Sequence, residues 1–311
     1  MKENREPTRR VARIGALAAA VYMCTMFLCS CTFRQRQDED SADPAEILRQ
    51  LEQLGGTIAP STDLTKSGFV EVVLGPQWTG GVDGLRLLLK LPTVDELTLA
   101  HPSLGDRALG TIAAIRGLRA IHLTGTAVTS AGLRHLHAID GLCLLHISGP
   151  NIDDSSLASL GGLNLMWLQV GPESRITDEG LRYIGKMPNL ITLRLENAGI
   201  CGSGLGAVGE LVRLRELVLS GTQTTDREVV RLKRFKHLNR LDLSGTRITG
   251  ASLSQLNGLL RLRDLDLGET AIDDRGLEQL GVLRRLECLS LDGTKVTDDG
   301  LRHLKSLGQL T

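Results

Sequence analysis

Apolar residues recur along this chain in a fixed phrase of 24 residues. Written from Leu238 it reads LNRLDLSGTRITGASLSQLNGLLR, with apolar side chains at places 1, 4, 6, 11, 16, 19 and 22. The next copy puts Leu262, Leu265, Leu267, Ile272, Leu277, Leu280 and Leu283 at the same places. Copies are headed by Val94, Leu118, Leu142, Leu165, Leu190, Leu214, Leu238, Leu262, Leu286 and Leu310, spaced by 24 except for a 23 and a 25 around Leu165. A period of this size marks a solenoid, in which each unit buries its apolar face only against its neighbours. The step of two between places 4 and 6 predicts a short strand, and the steps of three between places 16, 19 and 22 predict one face of a helix. Each unit therefore reads strand, turn, helix.

The phrase resembles the leucine-rich repeat in its LxxLxLxGTxITDxGLxxLxxL variant, as in planctomycete envelope proteins and the repeat half of F-box/leucine-rich-repeat proteins. The resemblance covers 94–311 and implies an α/β solenoid, with a curved parallel sheet on the concave face and helices on the convex face. The place that holds Asn or Cys in the common repeat is Thr126, Thr222, Thr246, Thr270 and Thr294 here. A hydroxyl there can still bond the backbone where strand turns to loop. Pro102, Pro150 and Ala198 depart from the pattern. The F-box itself is missing, so an adaptor or substrate-receptor role would be fold analogy alone.

Ahead of the repeats, the charge pattern changes. Lys2, Arg5, Arg9, Arg10 and Arg13 precede an uncharged run from Ile14 to Phe33, the layout of an export signal. Leu28, Cys29, Ser30 and Cys31 resemble a bacterial lipobox, which makes Cys31 the expected lipidation site; the alternative is a single membrane-spanning anchor over the same run. We divide the chain into 1–33, signal peptide or anchor; 34–43, flexible tether; 44–93, N-terminal cap helix and irregular first repeat; and 94–311, repeats. The cap starts at Asp43, Pro44 and Glu46, an N-cap, a first-turn proline and a candidate capping box, and ends at Gly55 and Gly56. Val70, Val72 and Leu74 alternate as a first strand, and Trp78 falls in the loop that follows. Leu310 and Thr311 begin a further unit, so end-to-end self-association through an uncapped C-terminus is a further expectation.

Composition narrows the function. Lys plus Arg and Asp plus Glu are equal at 36 each, which leaves no basic excess to draw the chain to nucleic acid. The three cysteines of the repeats, Cys143, Cys201 and Cys288, lie too far apart along the stack to pair. No HExxH, GxSxG or phosphate-loop string occurs, and we expect neither catalytic residues nor a cofactor. His122 and His146 stand on adjacent strands, yet two histidines without a third ligand do not make a zinc site, so no metal is expected. Asp153, Asp154, Asp178, Asp226, Asp273, Asp274 and Asp298 recur at helix starts, where capping accounts for them.

Places 2, 3 and 5 of each unit point away from the helices, so their chemistry is free to report function. Leu144, Met166, Trp167 and Ile191, with Cys143, predict an open apolar patch with Trp167 as its anchor. Place 5 adds His122, His146, Gln169 and Arg194. Farther along, Arg215, Glu216, Arg240, Asp242, Arg263, Asp264 and Asp266 read as a solvated mixed-charge surface, although Asp242 and Asp266 share one column that a cation or basic side chain could bridge. The function expected is a non-catalytic protein-binding module, exported to the cell envelope and membrane-anchored by lipid or by a single span. A carbohydrate- or matrix-binding structural protein on the same scaffold is the alternative.

Overall fold

The computed structural model describes residues 43–60, 70–196 and 199–310. They form one 11-stranded sheet whose strands lie in sequence order. β1 (Gly56–Pro60) pairs antiparallel with β2 (Val70–Leu74). All later neighbours are parallel: β3 (Glu96–Leu99), β4 (Ala120–Leu123), β5 (Leu144–Ile147), β6 (Trp167–Val170), β7 (Thr192–Leu195), β8 (Glu216–Val218), β9 (Arg240–Asp242), β10 (Asp264–Asp266) and β11 (Cys288–Ser290). The register never slips, because places 4 and 6 are locked in the core from the unit of Val94 to that of Leu262, with Leu289 and Leu291 of the last full unit partly buried against it. Leu97, Leu145, Leu168, Leu193 and Leu241, each at place 4, are all 0% exposed. This is the α/β repeat solenoid expected from the 24-residue period.

The N-terminal cap is α1 (Pro44–Gln53), which buries Ile47 and Leu51 against the first unit. Asp43 caps it by accepting from Ala45 N–H at 3.0 Å. The capping box expected at Glu46 is not made; that carboxylate turns instead to Arg49 at 3.2 Å and to Gln50. Strand β1 was not anticipated, since Gly55 and Gly56 read only as a helix end. Gly55 sits at φ +85°, a left-handed conformation that turns the chain out of α1 and straight into β1. Trp78 is not a loose loop residue. It is 2% exposed, donates its indole N–H to Gly81 O at 3.0 Å, and its ring fills the space beside Gly80 and Gly84.

Opposite the sheet, the helical segments are short. A typical unit makes one α-turn, such as Ser130–Leu133, and continues as a 3₁₀ helix, such as Arg134–Ala138. The apolar spacing is compatible with both. Steps of three align on one side of a helix with three residues per turn, so Leu253, Leu256 and Leu259 all reach 0% exposure from the 3₁₀ segment Gly250–Gly258 and its end. Threonines at place 9 close four of the strands: the hydroxyls of Thr222, Thr246, Thr270 and Thr294 donate to the carbonyl three residues back at 2.6–2.7 Å. Ala198 lies outside the described residues, as do the calls on 1–42, including Cys31 and the uncharged run.

The aspartates at helix starts do two jobs, and the sequence suggested only one. Those at place 12, such as Asp153 and Asp273, cap their own helix. Those at place 13 reach across to the next unit. Asp106 accepts from Thr129 N–H at 2.7 Å and from Thr129 hydroxyl at 2.8 Å. Asp154 holds Thr177, Asp226 holds Thr249 and Asp274 holds Thr297 in the same two-pronged way, and Asp178, at place 14 of the unit with the longer spacing, holds Gly202 N–H and Ser203 hydroxyl. The glycine of the phrase makes room for this staple. A Cβ on Gly132 would fall 2.3 Å from Asp106 Oδ1 and 2.8 Å from Asp106 Cα. Ser130, Gly202 and Gly250 occupy place 13 in three units, which leaves those junctions without this staple, and Asp273 and Glu228 of the following units come close to Gly250 and Gly202 instead.

Candidate functional site

Strand parity splits the sheet into two faces. Leu145, Ile147, Leu168 and Val170 belong to the continuous core beneath the helices, whereas Leu144 and Trp167 alternate with them and stand on the helix-free face. Pairing lines that face up in rows. One row runs Glu71, Glu96, Ala120, Leu144, Trp167, Thr192, Glu216, Arg240, Asp264, Cys288; the next runs Thr98, His122, His146, Gln169, Arg194, Val218, Asp242, Asp266, Ser290.

The expected apolar patch is corrected in one respect. Leu144, Trp167 and Ile191 are 1%, 6% and 7% exposed, so they do not form an open surface. In-register neighbours stand about 4.8 Å away on either side, and bulky side chains in such a row shield one another. They are nonetheless separate from the core under the helices. Met166, His122, His146, Gln169 and Arg194 remain half-buried and reach solvent beside them.

At the N-terminal end of the two rows, histidines and carboxylates meet. His122 Nε2 lies 2.8 Å from Glu96 Oε1, and its ring packs edge-on against His146 with centroids 5.8 Å apart. Burial, then the charges of His122 and Arg194, push the His146 imidazole down to about 4. Burial also lifts the Glu71 carboxyl, with Glu96 adding to the rise and His122 opposing it. Sequence spacing found the histidines but missed Glu71 and Glu96, which stand one row over on the preceding strands and meet the histidines only once the strands are laid side by side. Among the described residues no group of three or more His, Cys, Asp or Glu is placed to hold a metal ion.

At the C-terminal end part of the expected solvated surface is buried: Arg215 and Arg263 stay exposed, and Arg240, Asp264 and Asp266 are half-buried. Glu216 is 2% exposed and Asp242 9%. Arg194 reaches Glu196 at 2.9 Å and Glu216 at 3.4 Å, and Arg240 approaches Glu216 at 3.6 Å. Burial raises the carboxyls of Glu216, Asp242 and Asp264; Arg194 and Arg240 pull Glu216 back, while Asp264 and Asp242 raise it further. Sequence reasoning named these residues and misjudged their burial, since place 3 is open or closed according to what the neighbouring units carry. Cys143, Cys201 and Cys288 form no disulfide with one another, as their spacing along the stack requires.

A strand from every unit, an unbroken parallel register and helical segments on one side only are now in hand. The fold is a leucine-rich-repeat solenoid. The solenoid is similar to the crystal structure of an internalin, inlF, from Listeria monocytogenes, with a TM-score of 0.51 and 20% identity over 87% of this chain and 94% of that one. An internalin C2, inlC2, of the same organism matches with a TM-score of 0.50 and 18% identity over 83% of this chain and 100% of that one. At this identity the likeness concerns the fold. The sequence matches no protein-family model and no curated protein.

Proposed function

We propose that the chain is a non-catalytic protein-binding module that takes its partner on the helix-free, concave face of the sheet. The observation that carries this reading is the composition of that face. Its central strands place a buried apolar row, Leu144 and Trp167, beside the half-buried His146, Gln169 and Arg194, and none of these side chains is needed by the core under the helices. An aromatic and arginine-bearing surface with a desolvated centre is the usual composition of a protein contact. The likeness to internalin solenoids supports the scaffold on which such a contact would sit.

In this reading the module is exported and held at the cell envelope through Cys31, with an uncleaved anchor over Ile14–Phe33 as the alternative. Among the described residues no helix is long and apolar enough to cross a membrane. Two experiments test the proposal. A photo-cross-linking residue at Gln169, in cells making the full chain, should give discrete protein adducts, and the same residue at Arg231 on the helical side should not; equal yields from both faces would defeat it. Cys31→Ala should abolish incorporation of labelled fatty acid into the chain, and a parent chain that takes up no label would remove the lipid anchor.

A further inference from the structure

Each unit passes from its helical segment to the next strand through a tight bend whose two ends are fixed in the core. Leu214 N–H donates to Leu211 O at 3.0 Å, Leu238 to Phe235 at 3.1 Å, Leu262 to Leu259 at 2.9 Å and Leu286 to Leu283 at 2.9 Å, and all eight residues are buried. The two residues between such anchors must point outward. In these four successive units they are Val212–Arg213, Lys236–His237, Leu260–Arg261 and Arg284–Arg285, and every one is exposed. Earlier bends of the same kind carry Asp140–Gly141 and Pro188–Asn189, so the run of basic tips begins at Arg213.

The tips stack as a ridge along one edge of the solenoid. Arg213 donates to Asn189 Oδ1 at 2.7 Å, and Arg261 lies 3.1 Å from His237 Nδ1, so adjacent bends touch through neutral acceptors. Units repeat about every 4.8 Å, which gathers the four tips within about 15 Å. Of the acids beside them, Glu287 already pairs with Arg263 at 3.1 Å and Glu216 is buried between Arg194 and Arg240, while Glu210 stands at one end. The repeating aspartates lie at the other ends of the helical segments. A chain with equal numbers of acids and bases therefore has a basic edge.

A second feature of the ridge is apolar. Val212 and Leu260 are 67% and 61% exposed, the highest values of any large apolar side chain among the described residues, and they alternate with Lys236 and Arg284 at the first place of the tip. The core is already closed behind them by Leu211 and Leu259. A soluble polyanion would leave these aliphatic side chains in water, and a narrow convex ridge offers a folded protein little area. An anionic bilayer accepts both at one depth, since headgroup phosphates attract the cations while the aliphatic tips enter the acyl boundary.

We infer that this ridge lays one edge of the solenoid on a bilayer rich in anionic phospholipid. The contact uses none of the side chains assigned to the concave face.

The test mixes the full chain, carrying a diazirine-bearing aliphatic residue at Leu260, with vesicles of phosphatidylglycerol and phosphatidylcholine in equal parts or of phosphatidylcholine alone. An N-terminal anchor would hold the chain to both alike, so the difference between them reports the ridge. Irradiation should give lipid adducts with the anionic vesicles and at least tenfold fewer with the neutral ones. The same residue at Glu269, exposed on the opposite edge, should give few with either. Each cation near such a surface contributes roughly fivefold. Arg213→Gln, Lys236→Gln, Arg261→Gln and Arg284→Gln together should therefore lower the anionic yield at least tenfold and leave the melting temperature unchanged. Arg227→Gln, Arg247→Gln, Arg275→Gln and Lys295→Gln, the same loss of charge from exposed side chains on the other edge, should lower it less than twofold. Equal yields from the two lipids, equal loss in the two variants, or chain-to-chain adducts in place of lipid would overturn the inference. Hydrogen exchange on the unmodified chain needs no variant: anionic vesicles should protect the bends at 211–214 and 259–262, and protection confined elsewhere would count against it.

Discussion

His146 is a neutral imidazole packed among charges, and its chemistry can be read through pH. In the fold it takes up a proton only near 4, while in the unfolded chain it does so near 6.5. As pH falls through this window the unfolded chain gains the proton first, so stability is complete above 6.5 and declines toward 4. The full shift corresponds to at most about 3 kcal/mol. His146→Gln should flatten this decline relative to the parent in urea titrations at pH 7 and pH 4.5; parallel losses in both proteins would show that His146 carries none of it. A second residue-scale prediction concerns the staples. Asp226→Ala removes two hydrogen bonds to Thr249 and should cost about 1–3 kcal/mol, measured by chemical denaturation. Gly132→Ala should cost a comparable amount through overpacking, because the new methyl meets the backbone of Asp106 and not merely its side chain. The staples illustrate what a single repeat hides. Place 13 reads as a helix-capping acid when one unit is considered alone, and its partner at place 12 of the next unit becomes visible only when copies are stacked. Burial at places 2 and 3 is hidden for the same reason: Leu144, Trp167 and Glu216 are closed by what stands on the adjoining strands.

The elements themselves were largely legible, because periods of two and three are local. Strands β3 to β11 follow from places 4 and 6, and the helical segments from places 16, 19 and 22. What spacing could not supply was the narrower helix: a step of three serves an α-turn and a 3₁₀ helix alike, and only tight stacking of neighbouring units decides between them. Strand β1 was illegible because GTIAP holds one large apolar residue, Ile58, so no period of two can show, and it follows directly on a helix end. The cap element makes its own prediction. Leu51→Ala empties a fully buried position between α1 and the first unit and should cost about 2–5 kcal/mol. Asp43→Ala, which removes only the N-cap, should cost about 1 kcal/mol. Hydrogen exchange should find both losses concentrated in α1, β1 and β2, with β8 to β11 unaffected.

Across the whole molecule, each unit touches only its neighbours, so stability is a sum of units and junctions rather than a property of one central core. Leu193→Ala, in the middle of the stack, should therefore divide the denaturation curve into two transitions, whereas Leu286→Ala near the far end should shorten the cooperative block and leave a single one. A single transition in both variants would mean that the units are coupled too strongly for this description. The junctions, moreover, are unequal. Asp106, Asp154, Asp178, Asp226 and Asp274 pin their followers, and Ser130, Gly202 and Gly250 do not. Pulled from its two ends, the array would not stretch evenly: with strand pairing the same at every junction, it would part first at these three seams, which lack the two side-chain bonds of the staple.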